Sequence, residues 1–600
     1  MQKTSLLLTL SLLSVFFSSS PLKCDAASIG DGGGGTIPGT VYSVSPGAGV
    51  KTALGNARNN STYQLGSGNY TVTPSILNSN LSAGNQFTGI SFLNKTNVTI
   101  QGVVGRTIID GSSGLGELLW MSNCSNIRIV GVTFKGMTNH NFMMLPPVSS
   151  AGSYLWASVN VYQCEKIEFL NCSWLGSADH GLQDKGAENS GVVASTAIST
   201  NGILVDTCYF SDIGGWRTNA NAGGSIVLDG TAIVPTGWTI RNCTFENCMR
   251  GVEPYNENDA GGIVFVNCSI QRNNFLNMAD QAITTAGSTN GHEIVISDNF
   301  YDETAVISYH GTNLLTTGTA SAIGYAIAIN GGRGHNINNN TINRARYVGI
   351  ALGGNVMDDC TLDGNKVYRV GNGVSGFGYI LGAENANVKP VTRLNFFNNT
   401  AKATTQRGLY ILGVRDGYFR NCTIENPTLY GAVGNVVNAS GNNRNTNLFF
   451  TACTFTDNTG FQTHGMSVAA GNVNINFTDC VISGGSAGKY DNSAGDEVTI
   501  WGPSKTFSTT VNLASIPASG QLIGNFSAPG IRTNDLVSLM LPNQFFGVGN
   551  VTNVSVTAWA SNSTTSDGVV FYNIKNLDTV SAADAQNVRI RATVRQVEAY

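Results

Sequence analysis

Apolar and polar positions alternate over very short segments in most of this chain, and one such segment keeps returning. Phe169-Leu-Asn-Cys-Ser-Trp174, Ile240-Arg-Asn-Cys-Thr-Phe245, Phe265-Val-Asn-Cys-Ser-Ile270, Phe419-Arg-Asn-Cys-Thr-Ile424, Phe450-Thr-Ala-Cys-Thr-Phe455 and Phe477-Thr-Asp-Cys-Val-Ile482 share one template. Each predicts a strand of a few residues. If Cys208, Asp298, Asn340, Cys360 and Asn399 fill the Cys slot in the intervening copies, successive slots lie about 31 residues apart on average. The uneven step predicts a constant unit carrying loops of different length.

A second phrase follows each slot: His180-Gly-Leu-Gln-Asp-Lys-Gly186, Arg250-Gly-Val-Glu253, Gln281-Ala-Ile-Thr284, Val348-Gly-Ile-Ala351, Arg407-Gly-Leu-Tyr410 and His464-Gly-Met-Ser467. Strands this short cannot bury a face alone. Stacked as coils, they pair with their own copies and close over one apolar column. The fold class is therefore all-β, a right-handed parallel β-helix in which the Cys and Asn slots form side-chain ladders with neighbours about 4.8 Å apart. Small and apolar, the cysteines fit such a ladder as mostly reduced packing residues. The same spacing also permits some disulfides.

Other segments set boundaries. Lys3, the apolar run from Leu6 to Phe17 and the small-residue exit at Cys24-Asp-Ala26 predict a secretory signal over 1–26, and a Gly-rich linker follows over 27–40. The β-helix occupies 41–503. Beyond it, alternating segments 551–559, 569–574 and 588–597 predict a small antiparallel β-sandwich over 504–600. Asn-x-Ser/Thr sequons at Asn69, Asn94, Asn171, Asn242, Asn421 and Asn553 would accept glycans in a eukaryotic secretory route.

Val50-Lys-Thr-Ala-Leu-Gly-Asn-Ala57, Tyr63-Gln-Leu-Gly-Ser-Gly-Asn-Tyr70, Val98-Thr-Ile-Gln-Gly102, Thr107-Ile-Ile-Asp-Gly111 and Asn126-Ile-Arg-Ile-Val-Gly-Val-Thr-Phe134 resemble the opening of the pectate-lyase-like β-helix superfamily. That resemblance implies a short amphipathic helix capping the first coil. It implies a polysaccharide ligand, for lyases, glycoside hydrolases and epimerases share the fold with tailspikes and adhesins. The segment Thr579-Val-Ser-Ala-Ala-Asp584 is similar to the terminal β-domains of phage tail-type proteins, which implies a capping, glycan-binding or oligomerising role.

Composition narrows the partners. Net charge is −4, charged residues make up 12% of the chain, and 72 glycines stand beside 14 prolines. The chain has no Lys/Arg run, which argues against nucleic acid as the main partner. After the leader, no uninterrupted apolar run is long enough to span a membrane, so the mature protein is expected to be secreted or at the cell surface. Phosphate-loop, dinucleotide and His-Glu-x-x-His motifs are missing, so no cofactor is expected. The Asn- and Asp-rich loops do carry oxygen ligands suited to Ca²⁺.

Aligning the second phrase puts Leu182, Ile226, Val252, Ile283 and Ile307 inward, and Gln183, Val227, Glu253, Thr284 and Ser308 outward. Lys185, Asp229, Tyr255, Ala286 and His310 stand two residues further on. Ionisable groups concentrate there. For hydrolysis, Asp229 and Glu253 on adjacent coils form a carboxylate pair. For β-elimination at a uronic acid, Lys185, His180 or Tyr255 is the base and Arg250 or a bound cation stabilises the anion. Asp179, Gln183, Asp184, Tyr255, Glu257, Asp280 and His310 are the candidate substrate contacts. Two functions stay open: a polysaccharide lyase or glycoside hydrolase, or a noncatalytic glycan-binding adhesin of tailspike type. Known hydrolase, alginate lyase and epimerase phrases are incomplete here, so none transfers residue by residue.

Overall fold

The computed structural model describes residues 39–597 apart from 48, 73–74, 77–86, 113–116, 137–156, 178–179, 185–199, 215–223, 230–234, 256–265, 286–290, 305–323, 355–356, 372–375, 383–389, 426–434, 439–443, 457–464, 484–489, 493–497, 512–520, 528–535, 541–553, 561–568 and 577–587. The expected leader lies outside the described residues, as does all but the end of the linker.

One coil shows the plan. Glu165–Leu170 lies in a first sheet, Asn171 and Cys172 turn the chain, Ser173–Ser177 lies in a second sheet, and His180–Asp184 lies in a third. The next coil repeats it with Leu204–Asp206, Tyr209–Ile213 and Gly224–Asp229. The two stack in parallel register, Phe169 on Val205, Trp174 on Phe210 and Leu182 on Ile226. Repetition of this unit gives three long sheets, and the chain is a right-handed parallel β-helix. Val50–Gly55 is a helix whose Val50 and Leu54 are buried at the amino-terminal end of the core.

The corners explain the repeated phrase. Asn171, Asn242 and Asn421, at the bend from first to second sheet, have φ of 51°, 55° and 55°. Few side chains tolerate that left-handed region, and Asn is among those that do. The next residue points inward, where its side chain can donate to a carbonyl of the preceding coil. Cys172 Sγ meets Ile129 O at 3.4 Å and Cys208 Sγ meets Phe169 O at 3.4 Å. Mid-helix, Asn does this better. Asn273, Asn299, Asn340 and Asn365 donate from Nδ2 to the carbonyls of Ile240, Ile270, Ile296 and Ile337 at 2.7–3.0 Å. Each also donates to Oδ1 of the next member, ending at Asn399, over 2.9–3.0 Å. Every buried amide in this ladder is satisfied, which removes the desolvation cost of putting it in the core.

The observed ladder corrects three assignments. Asp298 is the left-handed turning residue, with φ 57°, and the slot after it is Asn299. Cys268 and Cys360 stand in another column, beside Trp238 and His335, because Ser269 pairs with Thr239 and Thr361 with Asn336. The slots in those coils are Asn273 and Asn365. The local phrase misleads because the same left-handed residue followed by a small inward one also builds other bends: Asn123-Cys124, Asn247-Cys248 and Asn267-Cys268.

Between the sheets the core is columnar. Phe134, Trp174, Phe210, Phe245 and Phe275 stack with ring centroids 5.2, 4.6, 4.8 and 4.8 Å apart, the spacing of the strands that carry them. At the carboxyl end, Val498–Val511 joins two patterns in one strand. Ile475 pairs with Val498 in parallel, and Ser504 to Val511 pair antiparallel with residues 595 to 588. The expected boundary at 503/504 therefore falls inside a strand. Gln521–Ser527, Val569–Asn576 and Val554–Ala560 form a separate antiparallel sheet.

Candidate functional site

The third sheet carries the second phrase. In register, Leu182, Ile226, Val252, Ile283, Ile327 and Ile350 stack inward. Ile327, not Ile307, follows Ile283, so Ile307, Ser308 and His310 do not continue this row; all three lie outside the described residues. The glycine of the phrase is a packing requirement. A Cβ on Gly251 would stand 2.3 Å from Ala282 O and 2.5 Å from the Phe275 ring, and one on Gly349 2.5 Å from Val367 and 2.6 Å from Gly378 O.

Outward residues come in two columns. One holds His180, Gly224, Arg250, Gln281, Tyr325, Val348, Phe377 and Arg407, and the other Asn160, Gln183, Val227, Glu253, Thr284, Ala328, Ala351, Ile380 and Tyr410. Asp184 follows Gln183 on the inward side of the strand, in register with Val161 and Leu228 of the core. Thr200 Oγ1 donates to its carboxylate at 3.0 Å. Asp179, Lys185 and Glu257 lie outside the described residues. Asp229 and Tyr255 are neighbours in register on adjacent coils, and only their backbone is described.

Three predicted residues, Arg250, Glu253 and Asp280, come together on adjacent coils of this face, and His180 lies in the column of Arg250 two coils before it. His180 Nδ1 accepts from the Gly224 amide at 2.9 Å. Gly224 leaves room for Glu253, whose Oε2 would lie 3.3 Å from a Cβ there. Arg250 Nη1 donates to Glu253 Oε1, and Arg250 Nε donates to Asp280 Oδ2 at 2.7 Å. All three side chains are under 10% exposed. Burial opposes the charge on Arg250, but the two carboxylates outweigh it and raise its pKa. Burial pushes the Asp280 carboxyl up and Arg250 pulls it back. The triad is an anchored ion cluster.

On both sides of the triad along this face lies a feature the sequence reading missed. Asn160, Gln183, Gln281, Thr284 and Arg407 each hold a buried side-chain polar atom with no hydrogen-bond partner; for Asn160 and Gln183 this covers both amide atoms. Buried polar atoms are rarely left so, and the usual remedy is an ordered water or a ligand. Beyond them stand half-buried Tyr325, Tyr347 and Tyr410, with Phe377, centroid to centroid 5.5–6.0 Å. The Arg407 guanidinium lies 4.5 Å from the Tyr410 ring. The outward polar positions were legible as single residues. Their common lack of partners depends on which side chains meet across coils, and nothing in the sequence signals that.

Among the described residues no group of three or more His, Cys, Asp or Glu side chains is arranged to hold a metal, and no helix is long and apolar enough to cross a membrane.

No family model and no curated protein sequence matches the chain. Solved structures do. A family 28 exopolygalacturonase of Yersinia enterocolitica matches at 10% identity and a TM-score of 0.40, over 68% of this chain and 78% of that one. An alginate lyase of Paenibacillus matches at 11% and 0.35, over 57% and 98%. The Dettilon tailspike matches at 13% and 0.32, over 93% and 95%. Identities at this level assign neither a reaction nor a substrate to this chain.

Proposed function

We propose that this is an exported or surface protein that binds an extended polysaccharide along the outer face of the third sheet. One observation carries the reading: five residues on that face, drawn from four coils between Asn160 and Arg407, hold buried polar atoms that the protein leaves unpartnered. A row of coils repeats every ~4.8 Å, and the face from Asn160 to Tyr410 spans eight steps, roughly 38 Å. A polymer of hydroxylated rings offers donors and acceptors at comparable intervals, and half-exposed aromatic rings offer apolar faces for its sugars.

Catalysis is the narrower claim. Glu253 is tied to Arg250 as an ion pair, so its role here is to hold Arg250 in place, not to move a proton. A lyase or hydrolase activity would draw its base or acid from residues beside the triad, Asp229 and Tyr255 first. The antiparallel carboxy-terminal strands are assigned to assembly or attachment.

The test pairs binding with stability. Gln183→Leu removes two unpartnered amide atoms, so it should raise the unfolding midpoint while weakening retardation in polysaccharide-loaded gels by tenfold or more. Unaltered retardation by every polymer tried, uronic and neutral, would overturn the reading. Absorbance near 235 nm and reducing-end release in the same samples separate lyase, hydrolase and binder.

A further inference from the structure

At the bend between the second and third sheets, four successive coils enclose a cleft of about 350 Å³ lined by Glu303, Arg344, Arg346, Arg369 and Thr405, among others. That volume lies in the range of small-ligand sites. Three guanidinium groups meet here, and their partners account for two of them. Arg344 is bidentate on Asp302, at 2.7 and 2.9 Å. Arg346 is bound to Glu303 at 2.5 Å, and its Nη1 is buried without a hydrogen-bond partner. Arg369 is exposed and makes no ion pair among the described residues.

The cleft adjoins the polysaccharide face through the chain itself. Arg346 is followed by Tyr347 and the strand Val348–Leu352, and Thr405 is two residues before Arg407. Arg407 also lacks a carboxylate partner among the described residues, and its Nε is unpartnered. Among the described residues Arg369 in the cleft and Arg407 on the aromatic row thus carry no carboxylate partner, and the guanidinium fork matches a planar or tetrahedral oxyanion in geometry and charge.

We infer that the cleft holding Arg344, Arg346 and Arg369 binds an anionic substituent, carboxylate or sulfate ester, of the polysaccharide lying along the third sheet. The inference rests on the polysaccharide reading and sharpens it from any glycan to an acidic one. Arg369 supplies the charge, and the free Nη1 of Arg346 supplies a buried donor. Arg344 and Arg346 are themselves fixed by Asp302 and Glu303, so the anion meets a preformed site.

The experiment compares three polymers on the full-length protein by affinity electrophoresis and calorimetry: polygalacturonate, the same polymer with its carboxyl groups reduced to alcohols, and a sulfated galactan. Wild type should bind one or both acidic polymers at least tenfold more tightly than the reduced one, with an advantage that shrinks as salt rises. Arg369→Gln should lose most of that advantage without changing affinity for the reduced polymer, and Arg369→Lys should keep part of it. Whichever acidic polymer loses affinity identifies the substituent. If Arg369→Gln leaves the ratio of acidic to reduced polymer as in wild type, the cleft assignment is wrong while the polysaccharide reading stands. If wild type binds none of the three, both fall.

Discussion

Arg250 reaches Asp280 on the adjacent coil, Nε donating to Oδ2 at 2.7 Å, while the same guanidinium holds Glu253 on its own strand. Removing the cation would leave two carboxylates buried together. Arg250→Met should therefore lower stability by about 3–5 kcal/mol, read as a shift in the urea midpoint. Adding Glu253→Gln and Asp280→Asn to the same chain should recover most of the loss. Recovery failing to appear would mean that Arg250 acts through its packing instead.

The asparagine ladder is continuous, so an interruption at its centre should cost more than one hydrogen bond. Asn340 Oδ1 accepts from both the amide and Nδ2 of Asn299, and its own Nδ2 donates to Asn365 and Ile296. Asn340→Ala should destabilise by about 3 kcal/mol. Asn340→Cys keeps a weak donor toward the Ile296 carbonyl, as in the outer coils, and should cost less. Thermal unfolding of the pair checks the order.

Gly251 is small because a backbone carbonyl stands in the way. Its added Cβ would meet Ala282 O at 2.3 Å, and a carbonyl held in a sheet cannot swing aside as a flexible side chain does. Gly251→Ala should destabilise by about 1–3 kcal/mol despite adding only one methyl group.

His335 makes stability depend on pH. Its Nδ1 accepts from the Ile294 amide and its Nε2 donates to Gly331 O, so the neutral ring fits the core. Burial lowers its pKa to about 4, opposed by the Gly331 bond and aided by the neighbouring His292. The unfolded chain then binds the proton first. The contribution is present in full above pH 6.5, declines as pH falls toward about 4, and is flat below; its size is about 3 kcal/mol. The difference between the pH–stability curves of wild type and His335→Gln should show that slope and no slope above pH 7.

All eleven described cysteines are unpaired, and only Cys480 is not fully buried. Burial pushes the Cys248, Cys268 and Cys360 thiols up to about 12, so little thiolate exists at neutral pH. A thiol reagent should modify at most Cys480 in the native protein, and all eleven once the helix is unfolded in denaturant. Rapid native labelling of several thiols would contradict the ladder.

The phrase around Cys172, Cys243 and Cys422 was enough to identify a solenoid, since left-handed Asn, small inward residue and β-prone flanks are local demands that each coil must meet. Local pattern also marked the inward row at Leu182, Ile226, Val252 and Ile283, while the short helix at Val50 was expected only from the resemblance of the opening segments to a known superfamily. Register was another matter. Cys268 and Cys360 carry the right neighbours for the wrong bend, and the inward row continues from Ile283 to Ile327 instead of the expected Ile307, because the length of chain between successive coils is invisible to local pattern. The meeting of Arg250 with Asp280, the unpartnered amides of Asn160 and Gln183, and the cleft at Arg369 depend on which residues stand on neighbouring coils 20 to 40 positions apart. Short-range sequence determines the unit that stacks; only stacking decides which outward side chains become neighbours, and a binding face is made of those neighbours.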